Sequence, residues 1–431
     1  CLRLHCRRET TGILCRMPPL KSICIPAAPP VDVTDFLPLI DHPLFQRLRY
    51  RKQLGINELV FPGALHSRFE HALGVLSLTQ RLCRFHAFSW EEQRHLQGFA
   101  LLHDLGHGPF SHQIEPVLSQ NHHQIGQQRI EEMSNTLKGC GLDPDVLCDM
   151  LQGKHPLACW ISDRNLGTDK LDYLHRDALH IGFQGTPDLE KIQFFTEMTP
   201  EGLAIREKLI EDAKQLQKFY SYLHQHGYLN KTALAVQRML QRAVQEELLL
   251  TGSDGTRLWD MIDRQLLYWL ENAQSPLSRN LVERLENRQI YRTILSLKPV
   301  GYAFVENSTG KELQVFEWSR SELSKFSHCH QDIKRLRKLE DELAELCKLQ
   351  PGELLCAVMP YFTKLLPKDL RVYSGNPDGN YWLLEQDKDH TRSLESDYLR
   401  TFAVRILVIP EKRTQLFPRA AEINAVLKAH T

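Results

Sequence analysis

Nine of the chain's 20 histidines fall between His66 and His123. This density constrains the fold more than any other feature. Imidazole is the commonest metal ligand and acid–base group, and a buried imidazole needs a partner or an ion. The histidines are threaded through helical pattern. Phe69, Leu73, Leu76 and Cys83 stand at helical spacing, and His71 shares an inward stripe with Val75, Leu78 and Leu82. Ser89-Trp90-Glu91-Glu92 is a capping box that opens a helix through Leu96, Phe99 and Leu102. Gly106, Gly108 and Pro109 stop that helix, just after His103-Asp104. Adjacent helical residues point about 100° apart. His103 and Asp104 therefore reach one ion only if it sits off the helix end.

A second helix starts after Gly167-Thr168 and carries Asp169, Tyr173 and Asp177 as one polar stripe, with Leu171, Leu174 and Ala178 elsewhere as an apolar one. A single inward histidine is more often a satisfied core residue, and a polar stripe is more often a solvated face. Their combination with His103-Asp104 points to a divalent ion. A mixed imidazole and carboxylate set suits Mn, Fe, Ni, Zn or Mg without choosing among them.

Composition narrows the class. With 53 Lys plus Arg against 53 Asp plus Glu, bulk charge does not drive binding to nucleic acid or anionic membrane, although a local basic patch is allowed. Charged residues at 25% and apolar residues at 42% exclude wholesale disorder. No apolar run approaches the length of a transmembrane helix. The 11 cysteines are odd in number and form no Cys-x-x-Cys pair, which fits reduced thiols in an intracellular, cytoplasmic protein (nuclear if eukaryotic). Arg3, Arg7, Arg8, Arg16 and Lys21 give the start a faint transit-peptide bias, but an untidy start with Met17 as initiator is the simpler expectation.

The fold class expected is mainly α, a helical bundle with a smaller C-terminal α+β unit. Residues 1–30 are irregular, punctuated by Pro18, Pro19, Pro26, Pro29 and Pro30. Residues 31–299 form the helical body and 300–431 the α+β unit. Within the body, Leu44, Leu48 and Leu54 space a short helix ending at Gly55; 205–247, Trp259–Leu270 and Leu277–Leu297 read as further helices. Beyond it, Val315–Glu317, Leu354–Met359 and Phe402–Ile409 read as strands, 329–348 and 415–429 as helices, and 374–391 as an exposed loop.

The set His71, His103-Asp104 and Asp169 resembles the H…HD…D ligands of HD-domain phosphohydrolases. The resemblance continues through Asp41–Tyr50, Gln53-Leu54-Gly55, Phe61–Ala64, His66–His71, His103–His112 and Asp169–Asp177. It is similar to the deoxynucleotide triphosphohydrolase branch, including enzymes that join a sterile alpha motif to an HD domain, with no such motif expected before residue 35. It is strong over 38–185 and weaker over 186–300.

The resemblance implies hydrolysis of a deoxynucleoside triphosphate, dGTP among them, to deoxynucleoside and triphosphate. His71, His103, Asp104 and Asp169 would hold one divalent ion, and a second Mg would come with the substrate. His107, His112 and His123 would serve acid–base chemistry, with His122 as the alternative to His123. Arg68 and Lys170 would grip phosphate; Gln53, Leu54, Tyr173 and Asp177 would contact sugar and phosphates. Relatives form dimers or tetramers, some bound to an activating guanine nucleotide. Asp41, Gln46 and Arg49 resemble part of that regulatory site, whereas Ile25–Pro30 departs from the family's Asp-Pro-Ile-His-Gly. The Leu229–Ala235 stretch lacks the family's Tyr-Gln-His run. Two other readings stand beside this one: an HD phosphohydrolase acting on a monophosphate, cyclic or signalling nucleotide, and a catalytically silent nucleotide sensor.

Overall fold

The computed structural model describes residues 20–304, 313–360, 369–376, 379 and 381–430. The frame of the site is three helices. Arg68–Phe85 is capped by Ser67, whose side chain accepts from Glu70 N. Trp90–Leu102 opens on the anticipated Ser89/Glu92 capping box. Thr168–Ile181 ends on Gly182 in the left-handed conformation. The first of these is buried on most of its surface, because it packs between the other two. Gly74 sets how close it comes to Thr168–Ile181: a Cβ there would run into the Asp172 carboxylate and the Arg176 guanidinium. Gly106 does the same after His103-Asp104, where a Cβ would collide with the backbone of the His122–Glu132 helix at His122 and Gly126.

Two hydrophobic clusters form. One joins Val31–Leu223 residues to Leu370, Val372 and Leu384. The other joins Ile56, Phe110 and Ile114 to Leu229 and the residues that follow it to Leu427. A four-stranded sheet lies in the second, ordered Gln314–Trp318, Arg292–Pro299, Val404–Val408, Leu354–Val358. Its first pair is parallel and the rest antiparallel, with Val404 opposite both Leu297 and Val358. A second sheet pairs Thr196–Thr199, Gly202–Arg206, Arg371–Tyr373 and Tyr381–Leu383. The mainly α architecture with a smaller α+β part is therefore present.

Several boundaries differ from expectation. The helix anticipated at Leu277–Leu297 ends at Glu286, and Arg292–Pro299 is a strand. Arg288 at φ 54° makes the break. Ile294 to Leu297 are buried on both faces, so spacing could not separate strand from helix. The sheet thus begins before residue 299, and the Lys231–Thr251 and Pro276–Glu286 helices lie with it in the second cluster, the former also packing on Gly55–Leu59. The Leu44–Leu54 helix is instead Pro43–Gln46 followed by a 3-10 turn, Arg47–Tyr50. The stretch 205–247 opens in a strand and is interrupted by a π-helical turn at His224–Tyr228. The 374–391 loop contains the Tyr381–Leu383 strand and the start of the Lys388–Thr401 helix; Pro377 and Asp378 lie outside the described residues. Ser22–Ile23, within the segment expected to be irregular, forms a two-residue ladder with Val31–Asp32 at the start of the body. Among the described residues no helix is long and apolar enough to cross a membrane.

Candidate metal centre and nucleotide pocket

His71 projects from the central helix, His103 and Asp104 from the end of Trp90–Leu102, and Asp169 from the first turn of Thr168–Ile181. Their donor atoms converge. His71 Nε2 is 3.1 Å from Asp169 Oδ1, 3.3 Å from His103 Nε2 and 3.6 Å from Asp104 Oδ2. His103 Nε2 is 3.6 Å from oxygens of both Asp104 and Asp169. Ligands about 2.1 Å from one ion stand about 3.0–3.4 Å apart in octahedral or tetrahedral geometry; the 3.1 and 3.3 Å edges match this and the 3.6 Å edges are slightly longer, with His71, His103 and Asp104 as the mutually close group and Asp169 beside the two imidazoles.

The second ring nitrogens fix the tautomers. His71 Nδ1 lies 2.8 Å from Asp172 Oδ2 and His103 Nδ1 lies 2.9 Å from the Ala100 carbonyl. Both act as donors there, which turns both Nε2 lone pairs toward each other. Such a pair is repulsive unless a proton or a metal cation sits between. Burial disfavours charge on His71, yet hydrogen bonds to Asp169 and Asp172 and the Asp104 charge override it and raise its pKa to about 10. His103 is raised by Asp104 and Asp169 against the same burial. The site is built for positive charge, and the residues fit a divalent ion.

A cavity of about 420 Å³ opens beside this set, lined by Gln53, Leu54, Arg68, Asp104, His112, Asp169, Tyr173 and Asp177, and by Gln113, His224 and Tyr228. Arg68 is buried, donating to Asp104 and, at 2.5 Å, to Ser111 Oγ. Gln53 Oε1 is buried with no partner among the described residues, an acceptor facing a ligand-sized space. Asp177 is held on one oxygen by His66 Nε2 at 2.7 Å and on the other by the Tyr228 hydroxyl. Burial first, then the charges of Tyr220, Asp169 and Asp177, raises the Tyr173 pKa and keeps the phenol a neutral donor.

Not every expected residue reaches the cavity. Lys170 is buried over the Tyr220 ring, 3.4 Å from its centroid, and donates to Arg164 O at 2.5 Å. Burial lowers its pKa to about 7. It does not line the cavity, because its place on the helix lies one residue round from Asp169. His123 is exposed on the first turn of His122–Glu132 and points away; His122 takes the inward place, stacked 4.1 Å from His107. The capping box of Asn121 with Gln124 sets this phase. Asp41, Gln46 and Arg49 lie on the surface of the opening segment. Arg49 Nε donates to Gln46 Oε1 at 2.7 Å and its guanidinium covers the Phe69 ring.

Sequence reasoning missed Asp172, Arg176, His66, Glu115 and Tyr228. Asp172 and Arg176 stand at i and i+4, a visible pair. His66 and Tyr228 carried no local signal, because Asp177 is more than 50 residues from the nearer of them.

Comparison with known proteins agrees with this geometry. Residues 68–177 match the HD domain model. An uncharacterized protein of Methanocaldococcus jannaschii is 28% identical over 349 residues, covering 78% of this chain and 74% of that protein. The deoxynucleoside triphosphate triphosphohydrolase SAMHD1 of Bos taurus is 29% identical over 334 residues, covering 61% of this chain. The chain spans little more than half of that enzyme, 56%. A crystal structure of a phosphohydrolase from Bacteroides thetaiotaomicron superposes with a TM-score of 0.68 at 20% identity, covering 90% of this chain and all of that one, and so shares the fold.

Proposed function

We propose that this chain, whose residues 68–177 match the HD domain and which is similar to the deoxynucleoside triphosphate triphosphohydrolase SAMHD1 of Bos taurus, hydrolyses deoxynucleoside triphosphates to deoxynucleoside and triphosphate. The observation that carries the reading is the cavity that opens directly on Asp104 and Asp169 of the ligand set, with a buried cation, Arg68, on its wall.

His71, His103, Asp104 and Asp169 would hold one divalent ion. When bound, such an ion neutralises phosphate charge and acidifies water. The chain supplies the rest. Arg68 is fixed by Asp104 and Ser111, so its guanidinium meets phosphate without being ordered at the moment of binding. His112 stands at the mouth with Nδ1 3.1 Å from Glu115 Oε2. Burial disfavours the Glu115 carboxylate, but hydrogen bonds from His112 and His122 outweigh this and hold its pKa far below the usual range. Glu115 thus keeps the proton on Nδ1, and His112 Nε2 is the atom that would protonate the leaving 5′-oxygen. Gln53 and Asp177 offer acceptors to sugar hydroxyls, and Leu54 and Tyr173 pack the sugar face. Regulation by a nucleotide near Asp41, Gln46 and Arg49, and assembly into an oligomer, belong to the same proposal.

The test is to incubate the metal-loaded protein with each dNTP, with and without GTP, and to resolve products by ion-exchange chromatography. Free triphosphate with deoxynucleoside is expected. Orthophosphate or pyrophosphate would assign another HD phosphohydrolase reaction, and no turnover with metal bound would favour a nucleotide sensor. Light scattering with and without nucleotide reads the assembly.

A further inference from the structure

A second group of ligands stands beside the first, and one of its members, His112, lines the cavity. His107, His112, Glu115 and His122 each offer one ligand atom, and these atoms all lie within 4.8 Å of one another. Glu115 is the hub, with Oε2 3.1 Å from His112 Nδ1 and Oε1 2.9 Å from His122 Nδ1. The three rings crowd around it. Centroids are 4.5 Å apart for His107 and His112, 4.1 Å for His107 and His122, and 4.9 Å for His112 and His122.

Hydrogen bonding to Glu115 accounts for His112 and His122. It does not account for His107, which is 1% exposed. Its Nε2 is 3.3 Å from Asp104 Oδ1, while its Nδ1 is buried with no partner among the described residues. A buried ring nitrogen in that state is disfavoured, because it has lost water and gained no partner. Nδ1 is therefore the atom His107 has free for a ligand.

We propose that His107, His112, Glu115 and His122 form a second metal site, which takes a divalent d-block ion of the Zn²⁺ class held by side chains alone. Three imidazoles and one carboxylate make a nitrogen-rich set that suits Zn²⁺, Co²⁺ or Ni²⁺; Mg²⁺ and Ca²⁺ prefer oxygen. The site is distinct from an ion that arrives with a substrate, because it needs no phosphate ligand. Entry requires one change. His107 and His122 stack within 13° of parallel, so one ring must turn for both to face an ion. His122 is the one free to do so, since its side chain is 17% exposed and begins a helix, while His107 is locked in the interior. An ion here would engage His112 and Glu115, the pair assigned above to protonate the leaving group, and would silence that step. The inhibition rests on the proposed reaction; the binding does not.

The experiment counts ions on the full chain. Protein stripped by chelator is loaded with Zn²⁺, desalted, and analysed for metal per chain. Two equivalents are expected for the wild type, and one each for Glu115→Gln and His71→Ala. Co²⁺ loading adds a spectroscopic count, because the second equivalent should bring its own visible d–d bands and Glu115→Gln should lack them. His112→Ala, at an exposed side chain, should weaken the second equivalent by about tenfold or more and leave the first unchanged. Circular dichroism melts of each variant establish that it is folded. A single equivalent in the wild type would overturn the proposal. So would a second equivalent that persists unchanged in folded Glu115→Gln or His112→Ala. Neither result depends on any nucleotide being hydrolysed, so the two proposals fail separately.

Discussion

Asp172→Asn tests whether the residue behind His71 sets the metal affinity. Asp172 accepts three N–H groups: His71 Nδ1 at 2.8 Å and Arg176 Nε at 2.9 Å on Oδ2, and Arg176 Nη2 at 2.9 Å on Oδ1. The substitution preserves shape and replaces one acceptor by a donor. If the amide nitrogen faces Arg176, a buried donor meets a guanidinium that Glu70 and Pro26 O hold in place at 2.8 and 2.9 Å. If it faces His71, the ring must adopt the other tautomer, and Nε2–H then points at the ion. Either arrangement penalises the loaded site. Loss of a carboxylate behind a metal-bound histidine costs about 10–100-fold in affinity, or about 1.4–2.7 kcal/mol. The assay is chelator competition on the metal-loaded protein, with total metal by mass spectrometry and a melting curve for each form. A metal Kd within about threefold of wild type, in a folded variant, would refute the argument that Asp172 fixes the His71 tautomer.

Three further expectations follow from packing and charge. Gly74→Ala should cost about 1–3 kcal/mol and lower metal occupancy, since the new methyl meets Asp172 and Arg176; urea midpoint and metal content read both. Glu340 is fully buried and accepts from Arg238 twice at 2.7 Å, from Arg242 at 2.9 Å and from Cys356 N at 2.9 Å. Glu340→Leu strands the buried Arg238 guanidinium, while Arg242 keeps Glu246 and Asp341, and should cost about 3–5 kcal/mol in urea unfolding; a loss under about 1 kcal/mol would show that water reaches the pair. His224 is held neutral, with its pKa lowered from 6.5 to about 3 by burial and then by the Lys170 charge. The folded state then binds fewer protons than the unfolded one, so this contribution is present above 6.5 and lost as pH falls toward 3. His224→Asn should therefore lose less stability than wild type between neutral pH and about pH 5; parallel loss in both would refute the assignment.

The sequence made the candidate metal ligands legible because their chemistry is carried by residue type. His103-Asp104 alone is a common chance pair and points to an ion only beside an inward His71 and the stripe Asp169, Tyr173, Asp177, which is the face that meets the cavity. What was not legible is what holds those groups. His66 and Tyr228 reach Asp177 only after distant segments pack, and no spacing rule spans them. Lys170 was misplaced for a related reason. A residue next to a ligand in sequence points about 100° away on a helix, and here that direction is the interior beneath Tyr220. His122 and His123 differ by helix phase, and the Asn121 cap places His122 against His107. Strand Arg292–Pro299 read as helix because burial on both faces erases the period.

The same long-range packing explains why the C-terminal half matters to a site whose ligands all precede residue 170. Phe110 and Ser111, both at φ 53°, take the chain from His107 to His112 through two left-handed residues. That conformation costs about 1 kcal/mol or more at each non-glycine. It is held from the other side of the molecule. Asp263 Oδ1 accepts from Phe110 N at 2.8 Å while its Oδ2 accepts from Lys52 N at 2.9 Å, beside Gln53 and Leu54. Gln241 Nε2 donates to Gln113 O at 2.7 Å, and Gln113 in turn takes Ile56 N at 2.8 Å. Arg51, buried, donates to Trp259 O at 2.8 Å and Met261 O at 3.0 Å, and also to His107 O. The bonds from Phe110 and Lys52 to Asp263, from Gln241 to Gln113 and from Arg51 to Trp259 and Met261 join segments at the cavity to residues 241–263 on the side of the second cluster. The cavity is therefore a seam between two hydrophobic cores, and its shape is set by the far core as much as by the helices that carry the ligands.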